Sequence, residues 1–182
     1  MNVFSFGNKK LPVTTAIFNL CSAHDCPSRK LGLCQLSDPS KCYARKAERL
    51  YPKCLPFRNR QKVYWQSVEA FDFVWRLVGA RQNITHLRLN ESGDFTTQSD
   101  INKAVEIAAI LSDMGIKTYC YTARSDLNFS ARGHLVVNGS GFMVDNQFTI
   151  EHKQARYTCP MDCKTCSVCT KTKGLTISVP MH

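Results

Sequence analysis

Four cysteines stand on one short run near the end of the chain, in the order Cys159-x3-Cys163-x2-Cys166-x2-Cys169. A thiolate is a soft, strong metal ligand, and thiols this close on one loop are suited to share a metal or a metal cluster. As disulfides they would invite scrambled pairing. The chain has ten cysteines in 182 residues, a length that builds a hydrophobic core without staples. The first ten residues, "MNVFSFGNKK", have no charged region followed by an apolar stretch. No signal peptide and no membrane span are therefore expected, and the expected location is the cytoplasm of the cell, where thiols stay reduced.

Zinc is the first metal to weigh. A zinc ribbon wants two paired knuckles separated by a loop, so that four sulfurs close a tetrahedron. The tail has no such loop. A [4Fe-4S] cluster suits it better, because Cys163-x2-Cys166-x2-Cys169 is the three-cysteine run of bacterial ferredoxins. The fourth ligand is then Cys159, stiffened by Pro160, or a residue from elsewhere. Cys159-x3-Cys163-x2-Cys166 is also the spacing used by radical S-adenosylmethionine enzymes, which leave one iron open. The tail thus leaves open a closed cluster, which serves electron transfer, redox sensing or support, and an open one that binds S-adenosylmethionine.

A looser set, Cys21, Cys26, Cys34 and Cys42, lies in the first third of the chain. Cys26, Cys34 and Cys42 are candidates to supply a second cluster or to complete the first. Cys54 and Cys120 read as packed residues. The histidines, at 24, 86, 134, 152 and 182, form no spaced pair, and His24 is the one candidate ligand among them. The formal net charge is +10. Arg29, Lys30, Lys41, Arg45, Lys46 and Arg49 crowd the first cysteine region, and Lys153, Arg156, Lys164, Lys171 and Lys173 the second. Such a surface favours phosphate-bearing partners, nucleic acid among them, or a host redox protein.

Alternating and periodic apolar residues set out the elements that must position these groups. Residues 13–21 read as a buried strand running into the first cysteine loop, where "SDPS" is a turn. Residues 43–50 read as a short helix. Residues 59–79 read as one long helix with Val63, Ser67, Ala70, Phe71, Val74 and Val78 inward. Residues 84–90 read as a strand. Thr97 and Asp100 form a capping box for the clearest helix, which buries Ile101, Ala104, Val105, Ala108 and Leu111 and stops at Gly115. Strands follow at 116–122, 134–140, 142–145, 147–150 and 175–179, with a short helix over "ARSDLNFSAR".

Strand and helix in alternation imply parallel pairing through right-handed crossovers. The expected fold is one α/β domain, 1–182, built on an open or incomplete (β/α) barrel-like parallel sheet of five or six strands. Its cysteine-rich parts are an N-terminal loop region, 21–54, and a tail, 156–174. In such folds chemistry collects at the C-terminal ends of strands. "ESGDF" opens there, so Glu91 and Asp94 are candidates to bind a ribose, an amino group or a metal, with Gly93 allowing close approach. Asp94 reads equally as a helix cap. Arg124, with Asp126, is a ligand-binding candidate or a structural ion pair.

Together, "CPSRKLGLC", "KCYARKAERLYPKCLPFRNRQ", "LRLNESGDF", "YCYTARSDLNF" and the tail "CPMDCKTCSVC" resemble the gene product 88 family of phages and plasmids. The resemblance covers most of the chain. It implies a virus-encoded iron–sulfur protein. The chain also looks distantly like the radical S-adenosylmethionine barrel, although it lacks that motif in the loop after its first long strand. The sequence thus points to a [4Fe-4S] protein. Its alternatives are a radical S-adenosylmethionine-like enzyme and a zinc-stabilised nucleic-acid-binding protein.

Overall fold

Short strands rich in apolar and β-branched residues pair here almost in the order in which the chain makes them. The computed structural model describes residues 2–36, 38–151 and 155–180. Ser37 of the expected turn, Lys153 of the second basic group, and His152 and His182 lie outside the described residues.

The strands are β1 (Ser5–Phe6), β2 (Thr15–Phe18), β3 (His86–Leu89), β4 (Lys117–Thr122), β5 (Leu135–Ser140), β6 (Asn146–Ile150), β7 (Tyr157–Thr158) and β8 (Leu175–Val179). The sheet order is β1-β2-β3-β4-β5-β6-β8-β7. Among the described residues only β1 joins antiparallel, to β2. From β2 to β6 the order never reverses, so this is the wall of an open barrel and not a doubly wound sheet with a switch point. Among the described residues eight strands form where five or six were expected, because β1 and β7 are two-residue edge strands. Segments that short carry no readable alternation.

The helices are α1 (Pro27–Lys30), α2 (Tyr43–Leu50), α3 (Cys54–Ser67), α4 (Ala70–Ala80), α5 (Gln98–Asp113) and α6 (Val168–Lys171). The Thr97–Asp100 capping box is present at the start of α5. The single helix expected over 59–79 is two. Val68 and Glu69 are extended between α3 and α4. Lys103 Nζ donates to the carbonyls of Trp65 and Val68, at 2.8 Å each, and so satisfies the end of α3 from a neighbouring helix. The break rotates the inner stripe. Arg58, Gln61 and Trp65 are buried on α3, and Ala70, Phe73, Val74 and Leu77 on α4. Val63 and Phe71 are exposed instead.

Two further expectations change. "FMVD" is not a strand but part of the five-residue crossover, 141–145, from β5 to parallel β6. Gly139 permits this short return, since the Phe142 carbonyl lies where a side chain at 139 would be. "ARSDLNFSAR" forms turns instead of a helix. Its polar side chains bond to nearby backbone, as where Ser130 N–H donates to Asn128 Oδ1 at 2.8 Å.

Residues in register across a sheet share a face. Phe18, Leu87, Leu89, Cys120 and Val137 lie in the core, with Trp65, Phe73, Ile107 and Leu111 from α3, α4 and α5. The opposite face carries Ile17, Arg88 and Tyr119, which are register partners, then Tyr121, Asn138 and Asn146, and then Phe148 with Ile177. The tail cysteines come to this second face.

Candidate metal centre

The tail loop is the crossover from β7 to its parallel neighbour β8. Its two ends are pinned to the sheet. Cys159 N–H donates to the Ser178 carbonyl at 2.8 Å. At the other end Asn146 Nδ2 donates to the Thr172 carbonyl at 2.9 Å, and Leu175 N–H donates to Asn146 Oδ1 at 3.3 Å. Asn146 is itself bonded to Asn138 in the adjoining strand, at 3.1 Å. Inside the loop Asp162 organises the turn between the first two cysteine spacings. Its carboxylate accepts from Lys164 N–H at 3.1 Å and Thr165 Oγ1 at 3.0 Å, and its carbonyl accepts from Cys166 N–H at 3.1 Å.

This folding brings Cys159, Cys163, Cys166 and Cys169 around one cavity of about 30 Å³, walled on the sheet side by Tyr121, Phe148 and Ile177. The Tyr121 hydroxyl donates to Cys169 Sγ at 3.1 Å, and the Tyr157 hydroxyl lies 3.3 Å from Cys166 Sγ. Burial raises the Cys163 and Cys169 thiols above their ordinary value. At Cys169 the Tyr121 hydrogen bond and the Arg88 charge work the other way. Burial also keeps Tyr121 a protonated phenol, and so a donor. Arg88 lies 4.9 Å above the Tyr121 ring. Sequence reasoning singles out none of Arg88, Tyr121 or Tyr157. The alternation of β3 and β4 is the signal that places the first two on one face.

Among the described residues no group of three or more His, Cys, Asp and Glu side chains is gathered so as to hold a metal ion. The donor chemistry nevertheless fits an iron–sulfur cluster: four thiols line one small cavity with apolar walls, and hydroxyls reach two of the sulfurs. None of residues 159–174 is buried.

The N-terminal cysteines are held differently. Cys21 and Cys26 are pushed up by burial to about 11 and about 12. Cys26 precedes α1, with Pro27 in its first turn, and Cys42 precedes α2. Cys34 follows the end of α1, its thiol also raised by burial. Gln35 Nε2 ties this region to the far strands through Ser140 Oγ at 2.8 Å and the Phe148 carbonyl at 2.9 Å. Cys120 is fully buried in β4, and Cys54 begins α3 half-buried. His24 Nε2 lies 3.5 Å from Arg45 Nη2.

Asp94 is buried at the end of β3 and does not cap α5, a role Thr97 takes. It accepts from Ser28 Oγ, from Phe95 N–H at 2.8 Å and from Ala123 N–H at 2.8 Å. Burial raises its pKa, against the pull of those bonds. Asp94 thus joins the first cysteine loop to the ends of β3 and β4. Gly93 has φ +70°, and the carbonyl and Sγ of Cys21 occupy the space a side chain there would need. Glu91 accepts from Asn8 Nδ2 at 2.8 Å. Arg124 pairs with Asp126 at 2.7 Å and donates to the carbonyls of Phe95 and Thr96, which makes it a brace between two loops.

A second cavity, about 460 Å³, opens beside α2 and is lined by His24, Arg45, Lys46, Glu48 and Arg49. Among the described residues no helix is long and apolar enough to cross a membrane. The sequence model of the gene product 88 family matches residues 2–140. That span holds the N-terminal cysteines, Glu91, Asp94 and Arg124, and stops short of the tail. No curated protein and no solved structure matches the chain.

Proposed function

The chain belongs to the gene product 88 family, and from that premise and the geometry of its tail we propose that it binds a [4Fe-4S] cluster through Cys159, Cys163, Cys166 and Cys169. One observation carries this reading: the four thiols of one loop line one cavity over the sheet. When bound, the cluster would supply one-electron redox chemistry. The residues around it have separable tasks. Asp162 shapes the loop, Asn146 and Ser178 fix its ends, and Tyr121 and Tyr157 present hydroxyls to the sulfurs. Phe148 and Ile177 keep the sheet side apolar. With four thiols at hand on one loop, a closed cluster for electron transfer or redox sensing is favoured.

Protein purified without oxygen should be brown and should contain iron and acid-labile sulfide. A colourless protein with stoichiometric zinc and no sulfide would overturn the proposal. A second reading, an enzyme with an open iron, takes support from the chain-order parallel sheet. Adding S-adenosylmethionine to the reduced protein separates the two. The closed cluster predicts no change in the paramagnetic resonance spectrum and no 5′-deoxyadenosine.

A further inference from the structure

Arg88 lies in β3, and Asn90 and Ser92 lie in the turn just past its C-terminal end. Each carries a buried polar atom with no hydrogen-bond partner among the described residues: Arg88 Nε, both side-chain atoms Oδ1 and Nδ2 of Asn90, and Ser92 Oγ. Asn90 and Ser92 are 4% and 3% exposed. Arg88 forms no ion pair among the described residues, and its guanidinium rests on the Tyr121 ring. Buried polar groups nearly always find partners. Leaving one without a partner costs more the more charge it carries.

The neighbouring groups are already committed. Asn19 accepts from Ser92 N–H at 2.7 Å and donates to Gln61 at 3.0 Å. Glu91 is taken by Asn8, and its carbonyl by the Tyr43 hydroxyl. Asn90 also sits at φ +61°, in the left-handed region that strained functional positions often use. The other orphaned atoms, on Arg29, Glu48, Thr118 and Thr149, are scattered over separate elements. The cluster at 88, 90 and 92 is the concentration, and it lies at a strand end where α/β folds bind ligands.

We propose that the end of β3 binds a small ligand through an oxyanion group, a phosphate or a carboxylate. Arg88 supplies the charge and a pair of donors, the pattern that a guanidinium offers an oxyanion. Asn90 supplies a donor and an acceptor, and Ser92 a hydroxyl. Arg88 itself stands on the sheet face that carries Tyr121, whose ring its guanidinium covers. The competing account makes a cluster the counter-ion of Arg88, but that leaves Asn90 and Ser92 without partners.

Calorimetric titration of the full chain with inorganic phosphate, and separately with acetate, tests this. Both the wild type and Cys163→Ala are used, so that loss of any cluster is distinguished from loss of this site. Saturable binding of at least one anion is expected in both proteins. Phosphate alone assigns a phosphate-bearing ligand, and acetate alone a carboxylate. Arg88→Gln should weaken binding about tenfold or more, the scale of one lost charge-assisted hydrogen bond. Asn90→Ala should weaken it several-fold, and the surface control Arg156→Gln should not. If Arg88→Gln does not fold, Asn90→Ala and Ser92→Ala carry the comparison. No saturable binding of either anion overturns the proposal. So does equal weakening by Arg156→Gln, or an Arg88→Gln effect confined to the redox potential of the loaded protein.

Discussion

The Tyr121 hydroxyl donates to Cys169 Sγ across 3.1 Å, and this bond joins the middle of the sheet to the cysteine loop. Tyr121 stands edge-on to Phe148, at 4.9 Å between ring centroids, so its ring cannot turn away without unpacking the face. A hydrogen bond to a ligand sulfur favours the more negative, reduced state of a cluster. Tyr121→Phe should therefore retain iron and lower the reduction potential, measured by voltammetry of the loaded protein. An unchanged potential would show that the hydroxyl does not bear on the metal.

The tail thiols and Cys120 should separate cleanly. Cys163→Ala and Cys166→Ala should lose iron and sulfide, because both residues belong to every ligand set the tail offers. Cys120→Ala should keep them. Cys120 packs fully buried in β4 on the helix side, and its loss should cost about 1 kcal/mol of stability, the scale of one small buried group. Iron analysis with urea denaturation reads both outcomes. Equal iron loss in all three variants would contradict the assignment.

Asp94→Ala should detach the first cysteine loop. Removing the carboxylate strands the N–H groups of Phe95 and Ala123 and frees Ser28. The expected loss is about 3 kcal/mol, the scale for leaving buried hydrogen-bond donors without a partner. Proteolysis should then cut first within residues 26–36. A protein that stays stable and uncut would show that Asp94 is not the junction.

Gly93→Ala should be more damaging than its size suggests. The backbone there is left-handed, and Cys21 fills the space. A drop in the urea midpoint is expected, and substitution at Gly79, which faces open space, is the control.

The acid limb of stability should depend on Asp145. Its side chain is 1% exposed and accepts from Arg132 at 2.9 Å, from Val137 N–H at 2.9 Å and from Lys173 at 3.3 Å. Burial alone would raise its pKa, but these bonds hold it below the ordinary carboxylate value. A depressed folded-state pKa stabilises the fold above the unfolded value, and that stability is lost as pH falls through the folded one. Asp94 runs the opposite way, since its pKa is raised and its titration weakens the fold as pH rises from the ordinary value. Asp145→Asn should lower the urea midpoint at neutral pH and flatten its fall below about pH 4, the ordinary Asp value. An unchanged acid slope would rule Asp145 out as the group responsible.

The elements that local chemistry dictates were legible in the sequence. The 43–50 helix, the α5 cap and stripe, and the strand at 175–179 depend on neighbouring residues, through period, capping and β-branching. The tail cysteines were legible too, because a thiol's chemistry and a spacing of two or three residues need no fold to be read. The parallel pairing of β2, β3 and β4 followed from the alternation of strand and helix, whereas β4, β5 and β6 pair parallel with no helix between them. Only the tertiary structure decided the break between α3 and α4, where Lys103, a residue 35 positions from Val68, ends the helix. The same holds for the commitments of Asp94 and Arg124, which reach from one loop to another. Tyr121 lines the tail cavity, and Arg88 lies over its ring, for a similar reason. They are separated in sequence from Cys169 by several elements, and what unites them is the register of parallel strands, a long-range relation that no local pattern encodes.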